Sequence, residues 1–324
     1  MIKAAIVGMG RYGRMLVDSV HGKSDKISVV AGVTRTVDTV IDYAARLGVP
    51  VGSDYGAVLK DPGIDAVILA TPHSQHGEQV IAAARAGKHI FVEKPFTLTR
   101  ASAEQAVAAV KAAGVTMALG HNRRFLPPMV ELGRRLKQCD LGTLLHVEAN
   151  MSSNSGATYR PGMWRASREE SPAAGMAGSG IHMVDAMLWH FGRISDVNVL
   201  SVQRVLKGEL DDTASMLFRF ASGMTGYLAC LAATRPTWRF QVFGQKGSIE
   251  IRDETRFEFR PVEGTPEVIE YPKIDTQRAI LEAFADAAEG HQAFPISLDE
   301  AIEGTAVFEA VARSARSGAA VAVP

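Results

Sequence analysis

The stretch KAAIVGMGRYG, residues 3–13, decides the fold. A short apolar run ends directly in Gly8, Gly10 and Gly13, a GxGxxG spacing, and a helix-forming stretch follows. Glycine is needed there for three reasons. The turn is tight, a pyrophosphate must approach the backbone closely, and the helix N-terminus must offer its N–H groups and positive dipole end. Arg11 and Tyr12 lie inside the same turn and join the glycines as expected cofactor contacts.

The first 120 residues repeat one rhythm. KAAIVG, ISVVAGV, DAVILAT, HIFVEK and VTMALG are strand-like, and Ala-rich helical stretches ending in Gly48, Gly87 and Gly114 separate them. The strands are apolar at consecutive positions, as expected where both faces of a parallel sheet are covered. The pattern predicts an α/β fold with an N-terminal Rossmann domain over 1–122.

From residue 122 the character changes. Pro127 and Pro128 precede a helix, LLHVEANMS reads as a strand, and a Gly-, Ser- and Arg-rich stretch runs from Ser152 to Ala174. An apolar helix follows, from roughly Gly178 to Phe191. Alternating strands come next, with GQKG at 244–247 as a turn between two of them. These predict an α+β domain over 123–324 with a large, open, mostly antiparallel sheet. Ser297 and Glu300 form a capping-box pattern at the start of the last helix.

The totals narrow the function. Lys plus Arg equals Asp plus Glu at 35 each, and no block of like charge stands out, which argues against nucleic-acid and membrane partners. Cys139 and Cys230 are far apart and lack metal-ligand spacing, so no metal site is expected; both read as buried thiols of a reducing, cytoplasmic compartment. No run reaches transmembrane length and the N-terminus lacks a cleavage site, so it reads as a strand and not as a signal peptide.

An acid about 20 residues past the glycines would bind a ribose 2′-hydroxyl of NAD. Thr34, Arg35 and Thr36 stand there instead. A guanidinium between hydroxyls suits a 2′-phosphate, which predicts NADP(H) over NAD(H), the alternative being an Arg35 that projects into solvent.

The combination of AIVGMGRYG, then ILATPHSQHGEQVIAAARAGKHIFVEKP, then GHNRRFLP resembles the Gfo/Idh/MocA family, named for glucose–fructose oxidoreductase, inositol dehydrogenase and a rhizopine-catabolism protein. The match is specific over residues 1–126 and looser beyond. The resemblance implies hydride transfer between a nicotinamide and a hydroxyl-bearing carbon of a sugar, polyol, cyclitol or sugar acid. It also implies a homodimer or homotetramer built through the C-terminal sheet. The Lys of the family's Glu-Lys-Pro motif, which points at the substrate, maps onto Lys94, with Glu93 as a cofactor-side or structural partner.

The residues agree with that role for Lys94. It follows a strand whose carboxyl end is the ligand side of a doubly wound sheet, where an ammonium can stabilise alkoxide-like charge. The proton needs a base with a pKa near neutrality, and His182 in GIHMVD is the candidate. The family often carries Asp four residues before this His, whereas this chain has Gly178. Asp185 stands one turn after His182, either to orient it or for helix packing or capping.

Thr71, Pro72, His73 and His76 follow a strand, and the resemblance places their loop over the nicotinamide ribose; His73 either lines the site or starts the next helix. Asn122 is a cofactor or substrate contact. Arg123, Trp164 and Arg165 are substrate candidates, although ordinary interdomain packing is the preferred reading of Trp164. Arg123, Arg124, Arg160, Arg165 and Arg168 together hint at an anionic substrate. Two other readings stay open: a regulator that binds cofactor without turnover, and redox-assisted elimination or glycoside cleavage with retained cofactor.

Overall fold

In the computed structural model, which describes residues 1–324, strands and helices alternate from the start. They are β1 (Ile2–Val7), α1 (Arg11–Val20), β2 (Ile27–Val33), α2 (Ile41–Leu47), β3 (Val51–Gly52), α3 (Tyr55–Lys60), β4 (Ala66–Leu69), α4 (His76–Arg85), β5 (His89–Val92), α5 (Arg100–Ala113) and β6 (Met117–Leu119). The six strands are all parallel, in the order β3-β2-β1-β4-β5-β6. This is the doubly wound order, with its switch point between β1 and β4. All four residues of β4 are buried, as consecutive apolar residues should be when helices cover both faces. Gly48, Gly87 and Gly114 sit at or just past helix ends with φ of +67°, +71° and +64°, a left-handed conformation that glycine adopts without a Cβ penalty.

The second sheet holds nine strands. Its elements are α6 (Pro127–Lys137), β7 (Leu144–Ser152), α7 (Ile181–Phe191), β8 (Ile194–Val202), β9 (Thr213–Phe220), β10 (Thr225–Leu231), β11 (Thr237–Gly244), β12 (Gly247–Arg252), β13 (Arg256–Pro261) and β14 (Glu267–Glu270). After them come α8 (Thr276–Ala288), α9 (Leu298–Ser317) and β15 (Val321–Ala322). The order is β14-β13-β12-β11-β7-β10-β9-β8-β15, antiparallel except where β7 pairs with β10. β9 alternates buried Ala214, Met216 and Phe218 with outward residues, the period of a sheet covered on one face. Phe191 of α7 packs between Phe220 and Phe240 on that face. Leu200 and Leu217 are exposed, at 68% and 56%.

Three details differ from the sequence reading. Pro127 and Pro128 occupy the first turn of α6 instead of preceding it, where a missing N–H costs nothing. Cys139 is exposed, because the chain leaves α6 there with φ +58°, whereas Cys230 is buried and its thiol is pushed up to about 12 by desolvation. The apolar helix around residue 178 opens with a π-helical turn, Met176–Gly180, before α7 begins.

The chain divides into two compact units, Met1–Asn122 with Asp275–Ile302, and Arg123–Ile274 with Glu303–Pro324. A single boundary at 122 assigns α8 to the second domain, but α8 packs on the first sheet. Phe284 lies 6.0 Å from Phe91 of β5, ring to ring, and Arg278 Nε donates to the Ser19 carbonyl at 2.9 Å. The capping box at α9 is present, with Ser297 N donating to Glu300 Oε2 at 2.8 Å and Glu300 N to Ser297 Oγ at 3.2 Å. No helix is long and apolar enough to cross a membrane.

Candidate functional site

At the carboxyl edge of the parallel sheet, ladder hydrogen bonds run one residue past the strands and fix the loops that follow. Gly8 N donates to Val33 O at 2.8 Å, Ala70 N to Val7 O at 2.8 Å, Glu93 N to Leu69 O at 2.9 Å and Gly120 N to Val92 O at 2.9 Å. This brings the first glycine loop, Thr71, Glu93 and Lys94 to one edge.

The three glycines have different reasons to be glycine. Gly8 has φ +94°, and a Cβ there would stand 2.5 Å from the Ala70 carbonyl oxygen. A Cβ on Gly13 would fall 2.0 Å from the Gly8 carbonyl oxygen. Gly10 is the N-cap of α1 in extended conformation, and a Cβ there would meet nothing within 4 Å. Packing therefore requires Gly8 and Gly13, whereas the space over Gly10 is open. No side chain caps the α1 N-terminus and no acid stands in its first turn, a setting that suits an anion. These features fit a dinucleotide pyrophosphate. Arg11 is exposed and Tyr12 half-buried beside them, and past β2 Thr34 is half-buried with Arg35 and Thr36 exposed.

In the loop after β4, the Thr71 hydroxyl donates to Gln79 Oε1 at 2.6 Å, Pro72 is half-buried and His73 is buried. His76, expected among the cofactor contacts, is fully buried. Its Nδ1 faces the Pro95 and Phe96 carbonyls at 2.9 and 3.2 Å, and its Nε2 faces the Thr71 carbonyl at 3.1 Å. Burial pushes its pKa down, against the three carbonyl contacts. His76 is a brace that ties the Thr71 loop to the turn after Lys94.

The Lys94–Pro95 peptide is cis, and Lys94 is half-buried. The buried Glu93 carboxylate accepts from the Lys94 backbone N–H at 3.3 Å. Gly120 makes room for it, since a Cβ there would stand 2.7 Å from Glu93 Oε1. Sequence reasoning passed over Gly120, although a glycine at the end of an apolar run two residues before Asn122 was the available signal. Asn122 is 3% exposed; its Nδ2 donates to Thr276 Oγ1 at 2.8 Å, and its Oδ1 is buried without a partner.

In the second unit, α7 carries His182 in its first turn, 5% exposed. A Cβ on Gly178, in the preceding π-helical turn, would meet nothing within 4 Å, so packing does not require the glycine. The same test on Gly180 gives 2.5 Å to Cys230 Sγ. Asp185 is held by Arg124, whose Nε and Nη2 reach its carboxylate at 3.0 and 2.8 Å.

The arginine cluster is largely neutralised from within. Arg123 pairs with Glu254 at 2.8 Å, Arg124 with Asp185 at 2.8 Å and Arg168 with Asp211 at 3.2 Å. Arg165 stacks on Trp164 with its guanidinium carbon 3.9 Å from the ring centroid. Three of the five cations thus have a carboxylate already, which weakens the argument for an anionic substrate.

Comparison with known proteins agrees with this geometry. Residues 2–121 match a family model described as an oxidoreductase family with an NAD-binding Rossmann fold, and residues 129–250 match the GFO/IDH/MocA C-terminal domain. The chain is 25% identical to oxidoreductase P35 of Formosa agariphila over 322 residues, 95% of this chain and 97% of that one. It is 40% identical to the scyllo-inositol 2-dehydrogenase (NAD(+)) of Bacillus subtilis over 152 residues, 45% of this chain and 43% of that one. Among solved structures, the aldose-aldose oxidoreductase of Caulobacter crescentus, complexed with glycerol, superposes with a TM-score of 0.88 at 25% identity, covering 99% of each chain.

Proposed function

The chain belongs to the Gfo/Idh/MocA family of NAD(P)-binding oxidoreductases, and from that premise we propose that it transfers a hydride between NADP(H) and a hydroxyl-bearing carbon of a sugar, polyol, cyclitol or sugar-acid-like substrate. The bound nicotinamide supplies the hydride acceptor or donor. Gly8, Gly10 and Gly13 with the α1 N-terminus hold the pyrophosphate, and Thr34, Arg35 and Thr36 take the 2′-phosphate. Thr71, Pro72 and His73 line the nicotinamide side with Glu93 and Asn122.

Lys94 donates a hydrogen bond to the substrate oxygen and stabilises the negative charge that builds on it. His182 accepts the hydroxyl proton during oxidation and returns it during reduction. Arg123, Trp164 and Arg165 contact the substrate, with Gly178 leaving room beside His182. Asp185 acts behind the site, since its carboxylate is occupied by Arg124.

The observation that carries this reading is the Glu93–Lys94 turn at the carboxyl edge of the parallel sheet, braced by His76 and by the space at Gly120. The inositol and aldose relatives support a polyol or sugar substrate. The name of the inositol relative favours NAD as the competing cofactor. Free cysteines fit a cytoplasmic setting, and the exposed Leu200 and Leu217 fit self-association through the second sheet.

Thermal-shift titration with NADP and NAD, repeated with polyol and sugar-acid panels, tests cofactor and substrate together. Stronger stabilisation by NADP is expected, and equal stabilisation removes the Arg35 argument. Lys94→Ala is expected to bind cofactor normally and to lose turnover; full turnover in that variant refutes the role of Lys94.

A further inference from the structure

The chain enters α7 by an unfavourable route. Ala173 and Ala174 are both left-handed, with φ of +50° and +56°, and both are buried. Non-glycine residues in that region are strained and persist only where surrounding structure enforces them. The π-helical turn Met176–Gly180 follows, and Gly180 gives α7 no side-chain cap. His182 sits in the first turn after this entry.

The middle and the far end of the same helix face are gripped instead. The Arg124 fork reaches Asp185 through Nε and Nη2, and the two side chains are 2% and 8% exposed. The same guanidinium carbon stands 5.3 Å from the centre of the Trp189 ring. His182, Asp185 and Trp189 are spaced i, i+3 and i+7, so all three lie along one face of α7.

We propose that the buried Arg124–Asp185 pair, with Trp189 as its second hold, is the positioning device that fixes the rotation and height of α7 and thereby the aim of His182. A bidentate guanidinium–carboxylate pair constrains orientation as well as distance. Stability alone is a poor reason to keep it, because desolvation of two charges offsets their attraction and apolar replacements often stabilise as well. Asp185 therefore serves Arg124 and acts on His182 through the helix. The functional weight of this device rests on the reading that His182 exchanges the substrate proton.

The test needs no substrate. In protein carrying 13C-labelled histidine, the His182 Cε1–H signal is assigned by its loss in His182→Ala. Arg124→Met is expected to move the His182 signal and to broaden or split it, while the His21, His89 and His291 signals of the first unit stay in place. Arg124→Lys, which keeps the charge and loses the fork, is expected to give a smaller displacement of the same signal. Arg124→Met leaves a buried carboxylate unpaired and loses stability, so Arg124→Met/Asp185→Leu, which removes both charges, provides the folded comparison. Its melting temperature is expected near that of the parent, with the His182 signal still displaced. A parental His182 signal in any of these folded variants overturns the proposal. Turnover in His182→Ala tests the catalytic reading separately, so either idea can fail without the other.

Discussion

Replacing Gly10 with alanine separates the cofactor argument from the folding argument. Gly10 has φ −68° and ψ −172°, and its Cβ would meet nothing within 4 Å. Alanine therefore fits without strain and loses less chain entropy on folding, a gain of about 0.4–1 kcal/mol. Against this, alanine is a poorer N-cap than glycine by roughly 0.5–1.5 kcal/mol. The two nearly cancel, so the melting temperature without ligand should move by no more than about 2–4 °C.

Cofactor affinity should respond differently. A methyl group over the loop holds a pyrophosphate off the α1 N–H groups, and one hydrogen bond to a charged group is worth about 1.5–3 kcal/mol. That corresponds to roughly 10–100-fold weaker binding, measured by NADPH fluorescence titration beside a ligand-free melt. Gly8→Ala gives the contrast. Its Cβ would stand 2.5 Å from Ala70 O and 2.9 Å from Thr71 N, with φ at +94°. Left-handed strain of about 1–2 kcal/mol plus overpacking of about 1–3 kcal/mol should destabilise the protein before any ligand is added. A Gly10→Ala protein that binds cofactor as tightly as the parent would refute the assignment of this open space to the pyrophosphate.

Three further outcomes are expected. Gly120→Ala should displace the Glu93 carboxylate, lowering stability in urea unfolding by about 1–3 kcal/mol; an unchanged midpoint would mean that the carboxylate relocates freely. His190 has its pKa pushed down to about 3, by burial first and by the nearby Arg124 second. Because the native state resists protonating it, the stability present above the ordinary histidine pKa of about 6.5 is lost as pH falls toward 3. His190→Phe should flatten that loss, and identical acid-unfolding curves would count against it. Gly178→Asp should fold normally, within about 1 kcal/mol of the parent, because its Cβ meets nothing within 4 Å. It should also change which polyols stabilise the protein in thermal shift, and an unchanged panel would remove Gly178 from the substrate site.

The parallel sheet was legible because its longer strands are apolar at consecutive positions and three of the helices between them stop at Gly48, Gly87 and Gly114, both local signals. The Ser297–Glu300 box was legible for the same reason. The return of α8 to the first sheet was not, because an amphipathic stretch announces a buried face without naming the sheet that buries it. Phe284 finds Phe91 nearly two hundred positions back. The tie between Arg124 and Asp185, 61 residues apart, was hidden likewise; a run of arginines reads as a surface until their carboxylates are located. The short strands β3 and β15, two residues each, carry too few side chains for any period. The position of Lys94 at a strand end could be read, whereas its supports, His76 and the missing side chain of Gly120, are a matter of three-dimensional fit.

The placement of β7 has a consequence for synthesis on the ribosome. β7 is the fifth of nine strands across its sheet, yet it is the first of them to be made, and its partners β10 and β11 begin only at Thr225 and Thr237. At about 5–20 residues per second, its two bare edges wait several seconds for their neighbours. The first sheet waits longer for α8. Both units of the nascent chain thus stay open until late in translation, so a burst of overexpression should tax chaperones more than the stability of the finished enzyme would suggest.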